Sequence, residues 1–178
     1  MQKSWICALA LVSLMAACVK PESEDNDYAI QSRYGAWSVL CSEAQAHCFA
    51  YLPVEDMAGK PILHISGEFL PKNKQAALAG FTVEIPARMI ARGRPDLTVN
   101  KAAGLVISVD HRLARRYSIG DCKRDYCVVH AGVPREFLRA LERGKTAQLT
   151  LVFSGWQERT EEFSVPLNGL AEAMKAAR

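Results

Sequence analysis

Six cysteines and four histidines are the residues best suited to chemistry in this chain, and their spacing decides which chemistry is open to them. Four cysteines, Cys41, Cys48, Cys122 and Cys127, lie in the body of the sequence. Neither close pair has the C-x2-C interval that a zinc centre or a thiol–disulfide catalyst uses, so metal and redox roles are the weaker alternatives. An even number suits disulfides in an oxidising compartment. Four cysteines allow three pairings. Cys41–Cys48 and Cys122–Cys127 close the shortest loops and cost the least chain entropy. On the chain-entropy model each would add about 2–2.5 kcal/mol. His47, His64, His111 and His130 show neither His-x-His nor His-Glu-x-x-His spacing. The sequence also holds no Gly-x-Ser-x-Gly elbow and no phosphate-cradling glycine loop. Asp110-His111 beside a distant serine suggests a triad, but neighbours on one strand point to opposite faces and would not pair. The expectation is no catalytic residue, no metal ligand set and no cofactor. An exported hydrolase with a site assembled from distant residues is the alternative.

The N-terminus supplies the address. Met1-Gln2-Lys3 is a short positive start, and Ser4 to Met15 is an apolar run. That run is shorter than the roughly 20 residues of a spanning helix and fits the apolar region of a signal peptide over residues 1–17. It ends Leu14-Met15-Ala16-Ala17-Cys18, which resembles the bacterial lipoprotein cleavage box. The resemblance implies that the Cys18 sulfur takes a diacylglycerol and becomes the first residue of the mature protein, while Cys7 leaves with the leader. Ordinary cleavage near Ala17 is the alternative, for which Met15 is a poor fit. Val19 in place of Asp implies, by the same resemblance, an outer-membrane lipoprotein. Palmitate-like chains contribute about 0.8 kcal/mol per buried methylene, so the membrane is one expected partner. Residues 18–33, acidic from Glu22 to Asp27, read as a flexible tether with a reach of roughly 20 Å.

The elements that must carry these residues are mostly strands. Trp37, Val39 and Cys41 alternate with Ala36, Ser38 and Leu40, and Cys48 to Leu52 follows closely, which predicts a stapled hairpin. Ile62 to Phe69 is a third strand, with Gly67 read as a bulge. Phe81 to Ile85, Leu105 to Val109, Leu149 to Phe153, and Phe163 with Val165 alternate in the same way. Arg116 to Ile119 and Cys127 to Ala131 flank the second cysteine pair. Pro134, the apolar face of Phe137, Leu138 and Leu141, and Gly144 mark one helix. Asn168 is placed to cap another that runs through Ala176. Lys72 to Leu78 reads as a short helical turn. Together these predict a mainly β fold: an antiparallel β-sandwich or barrel-like domain with one or two short helices near the C-terminus. With the leader removed, the chain is long enough for one domain with a real core.

The region from Tyr34 to the C-terminus resembles the invasion-associated locus B family. The likeness rests on Tyr34-Gly35-Ala36-Trp37-Ser38-Val39-Leu40-Cys41 with Cys48-Phe49-Ala50, and on Leu105 to Asp110 with Cys122 and Cys127. It continues through Phe137 to Leu141, Gly144, Leu149 to Phe153, and Val165-Pro166-Leu167-Asn168-Gly169-Leu170. Tyr126 stands where the family often has Gly, and the stretch from Ile90 to Lys101 is longer and more basic than usual. The resemblance implies a β-rich exported domain over residues 34–178, with a loose association with host-cell invasion and no catalytic residues to carry over.

Charge is the remaining functional signal. A net charge of +3 lacks the dense basic stripe of a nucleic-acid binder, so nucleic acid is not an expected partner. Arg88, Arg92, Arg94 and Lys101 fall in one segment, and Arg112, Arg115, Arg116, Lys123 and Arg124 in the next. If their loops share one end of the sandwich, the second set forms an anion-binding patch for an envelope protein or an anionic glycolipid. A solvated rim balanced by nearby acids is the alternative. The sequence reading is therefore a non-enzymatic cell-envelope lipoprotein domain facing the periplasm or the cell surface. Its oligomeric state is open.

Overall fold

In the computed structural model, which describes residues 28–43, 46–56, 59–71, 77–89 and 97–178, period-two burial runs through nearly every strand. The first sheet contains β1 (Tyr28–Tyr34), β2 (Trp37–Ser42), β3 (Cys48–Glu55), β4 (Pro61–Phe69), β5 (Ala77–Pro86) and β10 (Tyr126–Pro134). These pair antiparallel in the order β1-β2-β3-β4-β5-β10. The second sheet contains β6 (Arg88–Met89), β7 (Leu97–Val99), β8 (Leu105–Val109), β9 (Leu113–Tyr117), β11 (Thr146–Ser154) and β12 (Arg159–Pro166). There β11 is central: β12 pairs along one side, and β8 and β7 along the other, with β9 outside β8. The sandwich with two short helices is the predicted fold class.

The inner faces meet in one apolar core. Trp37, Val39, Leu63, Ile65, Val83 and Val129 come from the first sheet, and Leu105, Ile107, Leu149, Leu151 and Phe153 from the second. Helix α1 (Arg135–Arg143) starts after Pro134 and stops at Gly144, as its sequence signals predict, and buries Phe137, Leu138 and Leu141. Helix α2 (Leu170–Ala176) packs on β2 and β3 and buries Leu170, Ala173 and Met174. The void left at the centre is about 30 Å³, with an entirely apolar lining, so the interior is filled. The Trp37 indole N–H donates to the Pro166 carbonyl at 2.9 Å and ties the first sheet to the second.

Several local expectations are corrected. Residues 28–33, read as the end of the tether, form most of β1, which pairs with β2 as an exposed edge strand. Its residues lack a buried face, so no alternation announced it. Residues 1–27, with the leader, Cys18 and the rest of the tether, lie outside the described residues, as do 72–76 of the expected helical turn. Ala77 and Leu78 of that turn belong to β5. Gly67 is not a bulge: it stays in register with Ala50 and Phe81. A Cβ there would lie 2.6 Å from the Phe81 ring, and close packing is why the position is glycine. The cap of α2 is Gly169, with φ 90°, while Asn168 instead accepts the Ala36 N–H through its carbonyl. The strand expected over Arg116 to Ile119 is β9, which begins earlier and ends at Tyr117.

Candidate functional site

Outward-facing positions of the first sheet build the most developed surface feature. Because strand side chains alternate, Phe49 and Tyr51 of β3 share one face with His64 and Ser66 of β4 and with Thr82 and Glu84 of β5. The register aligns Tyr51, Ser66, Thr82 and His130 in one row across four strands. His64 and Glu84 stand opposite each other in the next row. Ser66 is small between larger neighbours, so the face dips into an open trough of about 220 Å³ lined by Phe49, Tyr51, His64, Ser66, Thr82 and Glu84.

The trough walls are held in place. The Tyr51 hydroxyl and His64 Nδ1 are hydrogen bonded at 2.6 Å, with the two rings stacked 6.0 Å apart at 19°. Burial, and then the charge of Glu84, push the Tyr51 phenol above its ordinary value, which keeps it protonated. Thr82 Oγ1 and His130 Nδ1 are 3.2 Å apart. Beyond Phe49 the aromatic surface continues: the Tyr28 ring meets it edge-on at 4.9 Å, and the His47 ring lies 5.9 Å away. His47 Nε2 is 3.7 Å from Glu68 Oε2. Three of the four histidines therefore stand on this one face. Sequence reasoning missed the site because its residues come from three strands, although the pairing of Phe49 with Tyr51 as successive outward residues was a visible signal.

The cysteines pair as loop entropy favours. Cys41–Cys48 staples the β2–β3 hairpin across directly opposed positions. Cys122–Cys127 closes the loop before β10. Cys18 lies outside the described residues.

The five basic residues are not gathered into one patch, which corrects the expectation of a shared end. Arg112 sits in the β8–β9 turn, whereas Lys123 and Arg124 lie in the disulfide loop past the other end of β9. Arg115 and Arg116 are consecutive on β9 and point to opposite faces. Arg115 pairs with inward-facing Ile107 and reaches to 5.8 Å from the Phe137 ring centre, while Arg116 pairs with Val106. Lys123 Nζ lies 5.3 Å from the Tyr126 ring centre, and its hydrogen bond to Tyr126 pushes its pKa up. Arg88 borders a cleft with Asp56, Glu84 and Asp125, a mixed-charge surface. Lys101 is in the turn before β8, and Arg92 and Arg94 lie outside the described residues.

Asp110 and His111 are not on a strand. They are the central residues of the β8–β9 turn, with φ 45° and 56°, closed by the Arg112 N–H donating to Val109 O. The Asp110 carboxylate accepts from the Lys145 and Thr146 N–H groups at 3.1 and 3.0 Å, so its work is to join this turn to β11.

A family model described as Invasion associated locus B (IalB) protein matches residues 37–178. The crystal structure of invasion associated protein B from Bartonella henselae is similar with a TM-score of 0.68 at 18% identity, covering 84% of this chain and 96% of that one. At that identity the likeness concerns the fold. A search of curated proteins finds no match.

Proposed function

The chain belongs to the invasion associated locus B (IalB) family, and from that premise we propose that it is a non-enzymatic, exported domain, anchored by lipid at Cys18, that binds an envelope component through the outer face of its first sheet. The family carries an invasion-associated name, and that association is the coarse functional frame. The trough beside Phe49 and Tyr51 is the observation that carries the binding role. Aromatic side chains with a polar tip are enriched where proteins bind, because they contribute large contact area at low entropy cost. The two disulfides support the exported reading, since such bonds persist in oxidising compartments. Dispersal of the basic residues argues against an anionic glycolipid as the ligand.

A photo-crosslinking amino acid at Ser66 tests the face in intact cells, with one at Ala114 of β9 as the control position. Benzophenone side chains insert into C–H bonds of sugars and peptides alike. We expect discrete adducts from position 66 and few from 114. Equal labelling from both positions, or none from 66, overturns the proposal.

A further inference from the structure

We propose that the trough on the first sheet takes one uncharged pyranose ring of an envelope glycan; this rests on the reading of that face as the binding surface and names its ligand. Phe49 and Tyr51, both half-buried, form the wall. The C–H-lined face of a pyranose packs on an aromatic face by dispersion and by attraction to the ring's negative centre. The hydrogen bond between Tyr51 and His64 fixes the ring angle before any ligand arrives, so little ordering entropy is lost on binding.

Floor and far wall supply the polar half of such a site. Ser66, Thr82 and Glu84 offer two hydroxyls and a carboxylate in adjacent register positions. A sugar's neighbouring hydroxyls both donate and accept, which matches that mixture. Among the described residues, neither Ser66 nor Glu84 makes a hydrogen bond to another side chain. The Ser66 hydroxyl is therefore free to turn to a ligand, while the Glu84 carboxylate also interacts with the charge of Lys123 outside the trough.

Charge and size narrow the class. Glu84 lies in the trough, and no lysine or arginine lines it among the described residues. A phosphate or acidic sugar would meet a like charge there. An open volume of about 220 Å³ suits a single ring rather than a peptide helix.

The test titrates the full-length protein from its native cells, disulfides intact, with uncharged tetrasaccharides of the chito, cello and malto series, read by saturation-transfer NMR and calorimetry. Dextran sulfate is the anionic control. At least one neutral series should bind saturably, and dextran sulfate should not compete. Tyr51→Ala and the trough-filling Ser66→Trp should each weaken binding by about tenfold or more, with Arg116→Ala unchanged. Ser66→Trp alters only the outer face, and an unchanged far-UV spectrum with an unchanged thermal unfolding transition certifies its fold. If no neutral saccharide binds while position 66 still crosslinks to a polypeptide in cells, the glycan assignment is wrong and the face remains the binding surface. If neither result appears, both claims fall.

Discussion

Gly169 lies against Tyr34 so closely that a Cβ on the glycine would overlap the Tyr34 carbonyl oxygen. Its φ of 90° adds a second demand that only glycine meets without strain. Gly169→Ala should therefore cost about 2–4 kcal/mol, combining the backbone strain with the forced displacement of β1. Urea unfolding followed by tryptophan fluorescence measures this. A loss under about 1 kcal/mol would mean the contact is slack.

Each disulfide closes a loop of fewer than ten residues, with Cys41 and Cys127 buried. Replacing either pair by serine should cost about 2 kcal/mol or more from restored chain entropy, with an added penalty where a hydroxyl is buried. Before reduction, alkylation of the native protein should label none of the four. Four reactive thiols there would contradict the pairing.

Asp110 gives a pH signature. Its carboxyl is held below the ordinary 3.8, first by the Thr146 N–H, against an opposing effect of desolvation, and then by the Lys145 N–H and the charges of Arg112 and Lys145. A carboxyl more acidic folded than unfolded adds stability that is complete above its unfolded value and disappears as pH falls through the folded one. Asp110→Asn keeps an acceptor and tolerates the positive φ but lacks the charge. Wild type should be the more stable at neutral pH, with the difference shrinking once pH drops below 3.8. A gap of the same size at neutral pH and well below 3.8 would rule out the carboxylate as its source.

Lipid attachment has a direct mass-spectrometric check. Cys18→Ser should abolish the acyl-modified N-terminal peptide and move the protein from the membrane fraction to the soluble one. Retention of Cys18→Ser in washed membranes would refute the anchor.

Where one face of a strand is buried, the sequence announced the strand. Trp37, Val39 and Cys41, or Leu149, Leu151 and Phe153, alternate because every second residue enters the core. β1 was invisible for the opposite reason: it is held mainly by backbone hydrogen bonds at an edge, and its side chains from Tyr28 to Gln31 are all exposed. The basic residues misled because proximity along the chain is not proximity in a sheet. Arg115 and Arg116 are neighbours in sequence yet belong to different faces, while Tyr51 and Thr82 are distant and share one. Register carries that information, and register depends on partners that a single strand does not name.

The bond from Trp37 to Pro166 spans 129 positions. A polypeptide emerging N-terminus first therefore carries its largest buried side chain uncovered until nearly the whole length has appeared. Early hairpins can zip locally, but the final collapse waits for the last strand, so folding depends on contacts between residues far apart in the sequence and should be slow.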